Sequence, residues 1–269
     1  MDYEIMMNGN VKIGSFAPDF EANTTMGKIC LNDYRGKWLV LFSHPGDFTP
    51  VCTTEIITFA KMNTYFEQMG ACLLGLSVDS NSSHLGWLYD IFQKTGIRVP
   101  FPIIADQNGK IARKYGMISN DVSTTETVRN VFIIDDKGIV RAILVYPMQA
   151  GRCIPEILRL LQALQTADNY QCMTPANWIP GDPVIVPMPT TFCELEKREK
   201  EIQERRNGMS WYLSFKEVPK KEIKCDCKRG IEEGKEENRN IEKIEKKENR
   251  VEDRDVKIYR SENKKTNLK

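Results

Sequence analysis

A short loop that ends in a cysteine joins a buried strand to a helix, and this junction constrains the fold more than any other feature. Residues 38–42 form an apolar run followed by a Pro/Gly loop, which is typical of a buried strand. Apolar side chains then recur at roughly helical spacing over residues 56–65. With Thr49 as N-cap and Pro50 as first helical residue, the pattern predicts a helix whose first turn contains Cys52.

The first turn of a helix favours an ionised sulfur, because unpaired backbone N–H groups and the positive end of the helix dipole surround it. The thiolate is the nucleophilic form of cysteine. A free cysteine, with a pKa of about 8.5, is only a few per cent ionised at pH 7. Lowering a cysteine pKa to about 6 takes roughly 3.4 kcal/mol of preferential stabilisation of the anion. A helix terminus supplies roughly 0.3–2 kcal/mol, so a neighbouring cation must supply much of the rest.

The pattern along the chain predicts an α/β fold with a mixed sheet. A hairpin signal, Asp135-Asp-Lys-Gly138, separates two strand-like runs. Strand-like runs at residues 38–43, 71–78, 101–104, 129–134 and 139–145 alternate with amphipathic segments near residues 53–68, 82–94 and 153–165.

The C-terminal part differs in composition from the rest. A Pro-rich segment at residues 174–189 is followed by a charged helix, predicted at about residues 191–206. Residues 228–269 are dominated by Lys, Glu, Arg and Asn with almost no aromatic side chains. Such a segment buries too little apolar surface to offset its ordering entropy, so we expect a charged tail that is disordered or only fractionally helical.

Composition excludes several classes of function. The net charge of +1 gives no reason to expect a nucleic-acid partner. No apolar run reaches the roughly 18 residues of a membrane span, and the N-terminus lacks the pattern of a signal peptide, so we expect a cytoplasmic protein without a membrane partner. The eight cysteines are mostly scattered singly, unlike a secreted disulfide framework. Two histidines without paired Cys spacing predict no metal site, and we expect no cofactor.

The segment Pro45-x-x-x-Thr49-x-x-Cys52 resembles the active-site motif of peroxiredoxins, thiol peroxidases with a thioredoxin-like fold. Its flanks resemble the one-cysteine subfamily of archaeal and bacterial type, and the likeness extends to about residue 217. The further matching segments are Val128-Arg129-Asn-Val-Phe-Ile-Ile134, Tyr146-Pro147, Gly151-Arg152, Thr174-Pro-Ala-Asn-Trp178 and Gly181-Asp-Pro-Val-Ile-Val186. The resemblance implies a thioredoxin-like peroxidase domain over residues 1–166 and a C-terminal peroxiredoxin extension used for dimerisation over residues 167–227, and the composition adds the charged tail over residues 228–269.

The resemblance also implies the reaction, which is reduction of hydrogen peroxide and alkyl hydroperoxides through a cysteine sulfenic acid. Cys52 matches the peroxidatic nucleophile and Arg129 the active-site arginine, whose guanidinium suits both a thiolate and a peroxide oxygen. Thr49 lies three residues from Cys52, within reach of a bound peroxide. Pro45 is expected to shield the pocket from bulk water.

Three further residues are expected to support the site. Glu55, one helical turn beyond Cys52, would orient an arginine, or else be an ordinary surface carboxylate. Arg152 matches a second family arginine that could buttress the pocket. His44 matches the histidine before the motif proline and could assist near the sulfur, or else be an ordinary loop histidine. His84 has no special sequence context and is predicted to lie on a helix surface.

Regeneration of the thiol leaves two alternatives. Archaeal-type relatives carry a resolving cysteine in a Trp-Tyr-Leu-Cys-Phe-like segment, whereas this chain has Trp211-Tyr-Leu-Ser214-Phe215. Either Cys225 or Cys227, in a basic stretch that lowers thiol pKa values, resolves Cys52; otherwise a cellular thiol reductant, thioredoxin-like or of low molecular weight, reduces Cys52 directly. The extension predicts at least a homodimer, with a decamer built of dimers as the larger alternative.

Two other functions compete with the peroxidase. A thioredoxin-like disulfide reductase would need a second cysteine in the motif, where Thr49 stands instead. A redox-sensing or holdase oligomer of the same fold would use the charged tail to bind partners.

Overall fold

A computed structural model describes residues 11–119 and 121–219. Within these ranges a seven-stranded sheet has the strand order β2-β1-β5-β4-β3-β6-β7. Its strands are β1 Glu21–Thr24, β2 Gly27–Cys30, β3 Trp38–Ser43, β4 Ala71–Ser77, β5 Ile103–Ala105, β6 Arg129–Ile134 and β7 Val140–Tyr146. The predicted resolving residues Cys225 and Cys227 and the charged tail of residues 228–269 lie outside the described residues.

The mixed sheet predicted from the sequence is confirmed. Strand β3 pairs in parallel with β4 and antiparallel with β6, so it lies in the interior of the sheet, where an apolar run is expected. Strands β6 and β7 form the predicted hairpin, and Gly138 in its turn has φ +78°, a conformation that glycine adopts without strain.

Four of the α-helices in the described ranges lie in the segments predicted for them, with ends that differ by up to five residues, and a fifth, short helix was not predicted. The helices are α1 Pro50–Gln68, α2 Asn81–Thr95, α3 Lys110–Lys114, α4 Ile154–Tyr170 and α5 Phe192–Arg205, and a 3₁₀ turn spans Leu31–Tyr34. Ser80 is the N-cap of helix α2, and its side chain accepts a hydrogen bond from Ser83 N at 3.1 Å. The C-cap is Gly96, which has a left-handed backbone. Helix α4 crosses the boundary predicted at residue 166, and that boundary stays a prediction.

Alternation along β3 builds a core on both sides of the sheet. Leu39 and Leu41 belong to a buried cluster that also contains Tyr115 and Phe132. Phe42 instead stacks on a side chain of helix α1, Phe59, with ring centroids 4.2 Å apart. This stacking fixes α1 against the sheet, and with it the loop between β3 and the helix.

Several short elements escaped the sequence prediction. The hairpin β1/β2 and helix α3 each contain only four or five residues per element, too few for a clear periodicity. A second sheet, with order β8-β10-β9, joins Val184–Ile185 (β8) to Gly208–Ser210 (β9) and Leu213–Lys216 (β10). The Pro-rich segment therefore contributes a strand to a small sheet of the C-terminal part.

Candidate active site

Cys52 is the third residue of helix α1 and has no exposed surface. Thr49 has the extended backbone of an N-cap and Pro50 is the first helical residue, as predicted. The Thr49 hydroxyl donates to Gly46 O at 2.8 Å and makes no capping hydrogen bond to the helix. The backbone N–H groups of the first turn therefore stay without a side-chain acceptor at Thr49, which keeps the helix start suited to an anionic sulfur.

Arg129 is the cation that contacts the sulfur. It is the first residue of β6, and the antiparallel pairing of β6 with β3 brings it to the end of β3 where α1 begins. Its Nη1 lies 3.3 Å from Cys52 Sγ and 2.8 Å from Glu55 Oε2. Its Nε and Nη2 both donate to Met148 O, at 3.0 and 2.8 Å. The guanidinium is thus fixed in place by three partners, as a preorganised donor requires.

Glu55 is buried between two arginines. Its Oε1 accepts from Arg152 N at 2.7 Å and Arg152 Nε at 2.9 Å, and its Oε2 accepts from Arg152 Nη2 at 2.7 Å. Burial by itself raises the pKa of the Glu55 carboxyl, but the hydrogen bonds and charge of Arg152, helped by the charge of Arg129, outweigh it and hold this pKa below its ordinary value. Glu55 is therefore an ionised acceptor for both arginines and is unsuited to act as a base.

Arg152 also ties two strands to the site. Its Nη1 donates to Ser43 O at 2.9 Å and to Asn130 O at 3.0 Å. Ser43 Oγ in turn donates to Val128 O at 2.6 Å. These bonds fix the ends of β3 and β6 relative to each other. The two guanidinium groups of Arg129 and Arg152 and the one carboxylate of Glu55 together carry a net charge of +1 beside the sulfur.

The loop of residues 44–49, called the catalytic loop below, contains the remaining motif residues. Pro45 is buried and Thr49 half-buried. Phe48 has φ +54°, which is an uncommon and strained conformation for an aromatic residue. Such strain persists only where the surrounding contacts hold it in place.

The prediction that His84 lies on a helix surface is wrong. His84 and His44 are both fully buried, and both contact the Asp47 side chain, which is 1% exposed. His84 is on the inner face of α2, and sequence reasoning missed it because a lone histidine in an amphipathic helix has no distinctive spacing. Asp47 was missed as well, although its position inside the motif loop was a signal.

The cluster of His44, Asp47 and His84 is the group that most resembles a metal site among the described residues. One donor atom from each lies within 4.8 Å of the others. Their separations do not fit tetrahedral zinc. With His84 Nδ1 only 2.8 Å from Asp47 Oδ2, zinc at ordinary ligand distances would have an N–Zn–O angle of roughly 85°.

Ser214, which stands where archaeal-type relatives are expected to carry a resolving cysteine, has a structural role. Ser214 is 1% exposed, and its hydroxyl accepts a hydrogen bond from Arg198 Nη1 at 2.8 Å. The six described cysteines are all free thiols.

A cavity of about 1010 Å³, lined by Arg206, Met209 and Phe215 among others, lies in the C-terminal part and contains none of the predicted catalytic residues. No helix among the described residues is long and apolar enough to cross a membrane.

Comparison with known proteins gives consistent matches. Residues 13–143 match the AhpC/TSA family, and residues 163–201 match the C-terminal domain of 1-Cys peroxiredoxin. Peroxiredoxin 2 of Caldanaerobacter subterraneus subsp. tengcongensis is 56% identical over 207 residues, which cover 77% of this chain and 93% of that protein.

Two solved structures are similar over the same part of the chain. One is a cysteine-to-serine mutant of peroxiredoxin 6 from Arenicola marina, with a TM-score of 0.69, 35% identity, and coverage of 78% of this chain and 99% of that one. The other is a yeast mitochondrial 1-Cys peroxiredoxin, with a TM-score of 0.66, 39% identity, and coverage of 77% and 100%.

Proposed function

The chain belongs to the peroxiredoxin (AhpC/TSA) family, and we propose that Cys52 is the nucleophile with which it reduces hydroperoxides. As a family member it has a thioredoxin-like fold and is a thiol-dependent peroxidase. The observation that carries the assignment of the nucleophile is the 3.3 Å contact between Arg129 Nη1 and Cys52 Sγ. This contact places a cation beside the sulfur, and the start of a helix alone does not stabilise a thiolate to the same extent.

The proposed first step is attack of the Cys52 thiolate on one peroxide oxygen. An S–O bond forms, the O–O bond breaks, and sulfur is oxidised by two electrons to sulfenic acid. The departing hydroxide or alkoxide takes up a proton and leaves as water or an alcohol. Arg129 is proposed to donate hydrogen bonds first to the thiolate and then to the developing oxyanion.

The other residues are proposed to support this step. Glu55 orients Arg129, and Arg152 holds Glu55 in place by the bidentate pairing described above. Thr49 is proposed to offer its hydroxyl to the peroxide, exchanging its hydrogen bond to Gly46 O. Pro45 limits access of bulk water to the anion. His44 is proposed to assist near the sulfur.

The sulfenic acid must then be reduced by a thiol. We propose that Cys225 or Cys227 attacks it, releasing water and forming a disulfide that a cellular thiol opens. The alternative is direct reduction by an external thiol. The yeast relative was solved to explain thiol resolution via glutathione/thioredoxin systems, which supports this alternative.

Two further parts of the proposal concern assembly and location. Peroxiredoxins form oligomers, and the match to a 1-Cys C-terminal domain supports at least a homodimer through the C-terminal extension, with a decamer of dimers as the larger alternative. The free thiols of the described residues support a reducing compartment, the cytoplasm. A redox-sensing or holdase oligomer is not favoured, because it gives no reason for an arginine fixed against a buried cysteine.

The nucleophile can be tested with cysteine variants. Cys52→Ser should lose peroxide turnover and dimedone labelling of sulfenic acid. Cys193→Ser removes an exposed thiol of the C-terminal part and should keep both. Unchanged turnover in Cys52→Ser would refute the assignment.

A further inference from the structure

Three buried side chains, two from the catalytic loop and one from helix α2, contact one another. His84 Nδ1 lies 2.8 Å from Asp47 Oδ2, and His44 Nε2 lies 3.1 Å from Asp47 Oδ1. His44 and Asp47 belong to the catalytic loop, whereas His84 belongs to helix α2. Asp47 also donates its backbone N–H to Asp79 Oδ2 at 3.0 Å. The carboxylate of Asp47 is therefore the junction between the loop and the helix.

Both ring nitrogens of His84 face hydrogen-bond acceptors. Its Nε2 lies 3.2 Å from the carbonyl oxygen of Ile104, which can only accept. Its Nδ1 faces the two carboxylate oxygens of Asp47 at 3.0 and 2.8 Å. A neutral imidazole carries only one N–H, so a neutral His84 beside an ionised Asp47 would leave two buried acceptors facing each other. One additional proton must be present, on either His84 or Asp47.

The surroundings of Asp47 assign this proton to His84. Burial alone raises the pKa of Asp47, but the hydrogen bonds that its two carboxylate oxygens receive from His44 Nε2 at 3.1 Å and His84 Nδ1 at 2.8 Å favour the ionised form and hold this pKa well below the ordinary range. Asp47 is therefore ionised. His84 is then an imidazolium that donates from both nitrogens, and the buried carboxylate has a buried cation as its partner.

His44 has the opposite protonation. Its Nε2 faces Asp47 and must donate, while its Nδ1 has no hydrogen-bond partner among the described residues. Burial lowers the pKa of His44 despite the opposing effect of Asp47, and the charges of His84 and Arg152 lower it further. His44 is thus neutral, with its proton on Nε2 and its lone pair on Nδ1.

We propose that His84 is a positioning residue of the peroxidase, a buried imidazolium that anchors the catalytic loop through Asp47 and fixes the tautomer of His44. Only the expected effect on the reaction rate rests on the proposed function of Cys52, and the protonation states of the two histidines do not. Asp47 lies between Pro45 and Thr49 and directly before the strained Phe48. Its two buried histidine contacts hold the loop in the conformation that brings Thr49 to the start of helix α1.

The protonation pattern can be read directly by nitrogen NMR. The chain contains only two histidines, so a long-range ¹H–¹⁵N correlation spectrum of the reduced, labelled full chain contains four ring nitrogens. At neutral pH we expect three protonated nitrogens and one nitrogen with a lone pair. Two lone-pair nitrogens would show that both rings are neutral and would overturn the proposal. One equivalent of bound metal in the purified protein that His84→Gln loses would overturn it as well.

Variants separate a positioning role from simple packing. In Asp47→Asn the amide can donate to His84 Nδ1, so His84 should lose a proton and a second lone-pair nitrogen should appear. Asp90→Asn, which removes a surface partner of Lys94 on the same helix, should keep the wild-type spectrum. An unchanged spectrum in Asp47→Asn would contradict the proposal.

His84→Gln tests the kinetic consequence. We expect the second-order rate constant with hydrogen peroxide to fall about tenfold, since a displacement of about 1 Å at a positioned group costs up to about a hundredfold. In the same variant the His44 signals should show exchange between tautomers. Wild-type rate together with an unchanged His44 pattern would contradict the positioning role. The two proposals can also fail separately. If the wild-type protein shows three protonated nitrogens and one lone pair but Cys52→Ser still turns over peroxide, the proposed nucleophile is wrong and the protonated state of His84 still holds.

Discussion

Arg152 holds both oxygens of the Glu55 carboxylate, with Nε 2.9 Å from Oε1 and Nη2 2.7 Å from Oε2. Arg129 Nη1 also contacts Glu55 Oε2, so the two arginines share this oxygen. The same Nη1 contacts Cys52 Sγ. Since two guanidinium groups share one carboxylate, the site has an excess positive charge that a thiolate at Cys52 neutralises. The arrangement therefore stabilises the ionised sulfur in a place from which water is largely excluded.

Removing the carboxylate should destabilise the fold. Glu55→Gln leaves two buried guanidinium groups without their counter-ion, and breaking a buried pair in this way costs about 3–5 kcal/mol of unfolding free energy. Chemical denaturation measures this loss. Glu156→Gln is the matched control, because Glu156 pairs with Arg159 on the surface and should cost at most about 1 kcal/mol. Equal losses in the two variants would contradict the structural role of Glu55.

Stability should fall in acid because of the same residue. The folded-state pKa of Glu55 is below its ordinary value of 4.5, so its contribution is fully present above that pH and is lost as the pH falls through the lower folded value. Urea unfolding at a series of pH values from neutral to about 3 should show a steeper loss for wild type than for Glu55→Gln, whose side chain does not titrate. Parallel curves would mean that the Glu55 carboxyl is not perturbed.

The sequence alone predicted the elements that surround the site. The apolar run of β3, the N-cap Thr49 and the hairpin at Gly138 each have a local signal that tertiary contacts do not override. The contact of Arg129 with Cys52 was expected only from the family resemblance, because the residues are 77 positions apart. No periodicity or spacing specifies which strand end meets which helix start.

The buried histidine cluster was outside the reach of sequence reasoning. His84 follows an ordinary helix pattern, and its burial depends on how α2 packs against the catalytic loop. The charge network is a similar case. The local sequence is equally compatible with Glu55 as a surface carboxylate, because its partner Arg152 lies 97 residues later in the chain. Long-range polar pairing of this kind is a property of the folded chain.

The C-terminal extension should hold a dimer together. Light scattering at micromolar concentration should give at least twice the monomer mass, whereas a monomer would contradict the proposal. Truncation after Lys228 should keep both the oligomer and the peroxidase rate, because the tail composition predicts no packed structure. Loss of either property in the truncated chain would assign the tail a role in assembly or catalysis.

Disulfide mapping distinguishes the two routes of regeneration. After one equivalent of peroxide, mass spectrometry should find a peptide containing Cys52 linked to one containing Cys225 or Cys227, and Cys225→Ser and Cys227→Ser should identify which thiol is used. The Cys193→Ser variant serves as control. If Cys52 is recovered only as sulfenic or sulfinic acid, direct reduction by an external thiol is the correct route.

The central claim is that Arg129 activates Cys52, and the most direct test is the second-order rate constant for oxidation of Cys52 by hydrogen peroxide. Arg129→Ala should fold, because Arg152 still pairs with Glu55, and its rate constant should fall about 100-fold, as for loss of one preorganised donor. Arg129→Lys keeps the charge without the planar fork and should be intermediate. Arg141→Ala, which removes a partly exposed ion pair with Asp168, should react at the wild-type rate. A wild-type rate constant in Arg129→Ala would contradict the account.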